Sequence, residues 1–161
     1  MHALHQQKSC HNKQRSGAAA VEFALVAPLF LVIVLGISEF GTAIHAHNSL
    51  TSAVREGGRL ASMDFSSYVT PSQSANDKVI RDIRAFLTAS GMPGSQVEIT
   101  ITDVETGATF DLSDQANYLR LFRIHASVPY SEISVQPIAY LSGHVIEAQM
   151  VYRRGRVQMV Q

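Results

Sequence analysis

The sequence has a single cysteine, Cys10, and no tryptophan in 161 residues. A lone cysteine forms no intramolecular disulfide and excludes a multi-cysteine zinc or iron–sulfur centre. Net charge is missing as well: 13 Lys and Arg balance 13 Asp and Glu, and only 16% of residues are charged. That balance excludes a highly charged disordered chain and leaves no electrostatic case for a nucleic-acid partner. No Gly-x-Ser-x-Gly elbow, P-loop or dinucleotide fingerprint occurs. The chain is therefore expected to be no enzyme and to need no cofactor and no metal. Neutrality is, however, an average over unlike parts. Residues 1–17 hold Lys8, Lys13 and Arg15 with no acid, and without them the chain carries a net −3.

What the sequence does have is one long apolar run. No Lys or Arg stands between Arg15 and Arg55, and Phe23–Ile37 (FALVAPLFLVIVLGI) is broken only by Pro28 and Gly36. From Ala18 to Phe40 the run spans 23 residues, about 35 Å as a helix, enough to cross a hydrocarbon core of roughly 30 Å. Leu25, Val26, Leu29, Phe30, Ile33 and Ile37 occupy more than one helix face, unlike the single stripe of a surface helix. The expected layout is a basic leader over 1–17, a membrane helix over 18–41, a helical extension over 42–62 and an exported head over 63–161. Positive charge before the run keeps the N-terminus cytoplasmic. Lipid is thus the first expected partner, and Cys10 falls on the reducing side.

Three residues interrupt the apolar logic. Glu39, near the far end of the span, is expected to snorkel to interfacial water. Glu22 lies deeper, and an ionised carboxylate there costs a few kcal/mol unless paired or hydrated. A helix N-terminus would favour it through the dipole. Pro28 removes a backbone bond toward Ala24 and is expected to kink or loosen the rod.

The string Arg15-Ser16-Gly17-Ala18-Ala19-Ala20-Val21-Glu22-Phe23 resembles the processing site of prepilins from the tight-adherence (Tad/Flp) branch of type IV pili. The longer stretch GAAAVEFALVAPLFLVIVLGISEFG, with Asn48-Ser49-Leu50-Thr51 and Ala53–Arg59 behind it, is similar to TadE-like pseudopilins. The resemblance covers residues 15–62. It implies cleavage by a prepilin peptidase between Gly17 and Ala18, with Glu22 and Phe23 at the fifth and sixth mature positions. It also implies partners among other pilins, pseudopilins and Tad assembly proteins, and a bacterial inner-membrane location, with entry into an extracellular pilus open. Physically, cleavage creates an amine at Ala18 that can neutralise Glu22 of a neighbouring rod, which sets the axial stagger. Phe23 stands where many relatives carry Tyr.

Two other readings keep the same residues in different roles. An uncleaved single-pass anchor would hold a binding head outside the membrane. A conventionally secreted protein would be cut after Gly41-Thr42-Ala43, before Ile44.

Beyond the membrane, Ala43, Ala46, Leu50, Ala53, Val54, Gly57 and Ala61 form a small apolar helical stripe, with a bend or end expected at Gly57-Gly58. Residues 64–74 read as a loop. Ser74 with Asp77 opens a short helix whose apolar face is Val79, Ile83 and Phe86-Leu87, closed by Gly91 and Pro93. Strand alternation follows at Val97–Ile101, Phe122–Val128 and Ile146–Tyr152, with a turn at Glu105-Thr106-Gly107 and weak pairing back over Ala108–Leu112. Ser131–Gly143 reads as a connection carrying Pro137, Ile138, Tyr140 and Leu141. The expected fold is α+β: a long N-terminal helix, a short helix and a small antiparallel sheet, similar to the pilin architecture.

The head offers little chemistry. His45 and His47 fall on different helix faces, and His125 and His144 lie on strands without an acid at ligand spacing. Asp111 and Asp114 suit a turn. Arg153, Arg154 and Arg156 read as a solvated strand end, or less simply as a contact to an acidic partner.

Overall fold

A computed structural model describes residues 8–63, 74–134 and 143–155, with side chains from residue 17 onward. It divides into two compact units, Met1–Phe40 and Gly41–Gln161. The first unit contains the N-terminal part of helix α1, which runs Lys8–Ala61 with Pro28 inside it. Between Gly17 and Ser38 the side chains are exposed or half-exposed: Phe23 is 73% exposed, and Leu25, Leu29, Phe30 and Ile37 are exposed likewise. An apolar helix exposed all round is what a lipid solvent requires. α1 is long and apolar enough to cross a membrane. Glu39 departs from expectation. It is buried, at 5% exposed, rather than reaching outward to water.

The second unit is an α+β head, as its alternation and periodicity predict. Helix α2 (Ala75–Ala89) begins where the Ser74 hydroxyl oxygen accepts the Asp77 N–H at 3.0 Å, satisfying one of the four orphan donors of a helix start. It ends in a Schellman motif: Met92 N–H donates to Leu87 C=O and Gly91 N–H to Thr88 C=O, with Gly91 at φ +84°. Val79, Ile83 and Leu87 are buried along one face, whereas Phe86 is exposed and lies off it.

Three antiparallel strands follow in the order β1 (Glu98–Asp103), β2 (Leu121–Pro129) and β3 (Val145–Arg153). Ile101 pairs with Ile124, and Ile124 with Met150. β2 alternates as expected: Phe122, Ile124, Ala126 and Val128 are buried and the residues between them are not. β1 runs two residues further than Val97–Ile101 implies, because Asp103 turns the chain. Its carboxylate accepts the Glu105 and Thr106 N–H groups, both at 2.9 Å. Residues 108–110 pair back weakly through Asp103 N–H to Ala108 C=O and Phe110 N–H to Ile101 C=O.

From α1, Ala46, Leu50, Ala53, Val54 and Ala61 join α2 and the inner face of the sheet in one core. α1 does not stop at Gly57-Gly58 but continues through both to Ala61. The reason is close packing. A Cβ at Gly57 would run into the Ile83 side chain, and one at Gly58 into the Tyr152 ring. The helix tolerates two glycines there because no other residue admits its neighbours so near. Pro137, Ile138, Tyr140 and Leu141, most of the 64–74 loop and Arg156 lie outside the described residues.

Candidate processing and assembly site

Gly17, Ala18, Glu22 and Phe23 lie on consecutive turns of α1, and all are exposed. Among the described residues nothing comes within 4 Å of the place where a Gly17 Cβ would stand. Glycine also weakens a helix by about 1 kcal/mol relative to alanine, which favours local opening at the Gly17–Ala18 bond. Ala18 and Glu22 are four residues apart in one helix and therefore share a face. An amine freed at Ala18 would be the main-chain nitrogen at the helix start, one turn before the Glu22 carboxylate. Six residues after Glu22, Pro28 sits inside the same helix without ending it.

Residues 17–59 match the family model described as TadE-like protein. This N-terminal segment is TadE-like. The match opens on Gly17 and closes on Arg59, so it takes in the apolar run and the small-residue stripe up to Gly57 and leaves the sheet outside it. The match covers 43 of the 161 residues and shows what this segment is similar to. No curated protein and no solved structure matches the chain.

The head brings few of its candidate residues together. His45 and His47 border different surface cavities, His45 one of about 550 Å³ with Thr42, Met92 and Glu132, and His47 one of about 400 Å³ with Ile44 and Val145. His125 does not meet His144. Its Nε2 lies 3.1 Å from Glu147 Oε2 across the β2–β3 pairing, while the His144 carbonyl accepts the Tyr130 N–H. Glu147 is the acid that spacing along the sequence fails to reveal, since sheet register brings it in from 22 residues away. Among the described residues no group of three His, Cys, Asp or Glu could hold a metal ion.

Asp111 and Asp114 both serve turns. Asp111 accepts the Ser113 hydroxyl and N–H, and Asp114 accepts the Ala116 N–H. The Ser113 hydroxyl, then its N–H, holds the Asp111 carboxyl below the usual range. Asp103 is held below the usual range too, by the N–H of Thr106 foremost, then that of Glu105, the Thr106 hydroxyl and the Arg120 guanidinium, 2.8 Å away.

The arginine cluster is a solvated strand end at Arg153 but not at Arg154, and Arg156 lies outside the described residues. Arg153 is exposed, but Arg154 is buried at 1% exposure. Its Nη1 donates to the carbonyls of Met63 at 3.2 Å and Ala61 at 3.5 Å, and its guanidinium lies 5.5 Å from the centre of the Tyr118 ring. Arg154 thus ties the last strand to the C-terminal end of α1, where unpaired carbonyls and the helix dipole favour a cation.

Proposed function

We propose that this chain is a pseudopilin or minor pilin of a Tad-type pilus and secretion system, cut between Gly17 and Ala18 by the prepilin peptidase. Its role is structural, in pilus biogenesis and adhesion, and it carries no catalytic activity. It inserts in the bacterial inner membrane through α1 with the N-terminus cytoplasmic and the head exported. Glu22 then pairs with the new amine of a neighbouring rod and sets the stagger of packing. Phe23 packs beside it, and Pro28 loosens the helix for packing or for leaving the bilayer.

The observation that carries the reading is the family match beginning at Gly17, with Glu22 five residues on. Exposure of this whole stretch supports it, because both a peptidase and a partner helix need access. The test is the N-terminal sequence of the protein from envelope fractions, with and without the prepilin peptidase. We expect a start at Ala18 that requires the peptidase. A start at Ile44 would instead make the chain a conventionally secreted protein, and an intact leader in both strains would make it a simple anchor.

A further inference from the structure

We propose that the end of the sheet bearing Leu119, Leu121 and Val151 is a docking surface for an acidic, apolar segment of another protein. The proposal goes beyond the pseudopilin reading and does not depend on cleavage of the leader. Register defines the surface. On the outer sheet face, Leu121 lies opposite Arg153, and Arg123 lies between Thr102 and Val151. Apolar and cationic side chains therefore alternate like squares of a board, two strands wide. Leu119 adds a third apolar side chain just before β2 begins.

Three observations set this patch apart. Leu119, Val151 and Leu121 are 58, 49 and 39% exposed, three large side chains left open together at one end of the sheet; Val145, at the opposite end of β3, is 58% exposed as well. Leu119 also has φ +64°, a left-handed backbone unfavourable for leucine, held by its N–H bond to the Arg154 carbonyl at 3.0 Å. Glycine would occupy that backbone without strain, so a leucine displayed there is opposed by both backbone and solvent. Outliers of this kind cluster where a surface engages something else. Charge then selects the occupant. Arg120 is committed to Asp103, but Arg123 and Arg153 enter no ion pair among the described residues. These two guanidinium groups, exposed or partly exposed and without an acid of their own, favour an acidic partner. Alternation at strand spacing, with apolar groups between the charges, fits side chains of a protein rather than a layer of headgroups.

The experiment places a photoreactive residue at position 119 or 151 of the full chain in cells, with position 98 at the other end of the same face as control. The cross-linked peptides are then sequenced. We expect both positions to capture one and the same peptide, rich in Asp or Glu and in aliphatic residues. Its yield should fall about tenfold in the Arg123→Glu/Arg153→Glu double variant. Reversing the acid on the captured peptide to Lys should restore it. Leu119→Gly, which suits the backbone, should leave thermal stability equal or higher while lowering capture from position 151. A lipid adduct, a peptide without acids, capture no greater than from position 98, or indifference to the charge reversals would overturn the proposal.

Discussion

A buried guanidinium with no carboxylate at ion-pair distance among the described residues must find its acceptors on the backbone, and Arg154, whose charge also acts on the Asp111 carboxyl, finds them on Ala61 and Met63. The position was legible. Alternation through Ile146, Ala148, Met150 and Tyr152 places residue 154 on the inner face, yet three arginines close together suggested a solvated group. Composition misled where periodicity would not have. Arg154→Ala should destabilise the head by about 2–4 kcal/mol, because it leaves two carbonyls poorly satisfied and a cavity beneath Tyr118. Arg154→Met, which keeps the volume, should lose less. Denaturant unfolding of the full chain in detergent measures both, and equal stability of Arg154→Ala and the parent would refute the lock.

Asp103 shows the same dependence of a residue on its surroundings, here as a function of pH. Its folded-state pKa lies below the ordinary 3.8, first through the Thr106 N–H. The stability it contributes is therefore present above that ordinary value and disappears as pH falls through the lower, folded-state one. Asp111 acts in the same direction through Ser113. Acid titration of unfolding should show stability declining from about pH 4 downward. Asp103→Asn keeps an acceptor for the turn but not the pairing with Arg120. Its slope below that pH should be shallower, and an unchanged slope would count against the linkage.

At the scale of elements, β2 and α2 could be read from pattern because each buries one face at its own period. The glycine pair in α1 could not, since sequence alone prices a glycine as a helix breaker and cannot see what packs against it. Ile83 arrives from α2 and Tyr152 from β3, far along the chain. The ordinary sign of Gly→Ala in a helix is thereby reversed. Gly57→Ala and Gly58→Ala should each cost about 1–3 kcal/mol through overpacking. Gly41→Ala, with nothing within 4 Å of its Cβ, should gain up to about 1 kcal/mol. Unfolding midpoints of the three variants, compared in one detergent, test the contrast. Parallel gains at all three sites would mean the head accommodates the extra methyl groups.

For the whole molecule, the two units carry different kinds of information. The exposed apolar helix and its candidate processing motif are legible directly, because a motif at one end of one helix needs no tertiary contact to be recognised. The head's outward surface was illegible for the converse reason. Leu119, Leu121, Arg123, Val151 and Arg153 meet only through register between strands nearly thirty residues apart. Glu22 is where the helix's role can be separated from its processing. It is exposed on α1 and shares a face with Ala18, so its carboxylate is available to a neighbour and not engaged in holding this fold. Glu22→Ala should leave the start at Ala18 unchanged, because bond access rests on Gly17, and should abolish assembly, because a packed rod would keep an unpaired amine in low dielectric. N-terminal sequencing and counts of surface pili, in a strain where deletion of this subunit removes the pili, read the two effects separately. Normal pili from the Glu22→Ala strain would show that stagger is set elsewhere along the helix. Loss of both cleavage and pili would move the role of Glu22 from packing to recognition by the peptidase.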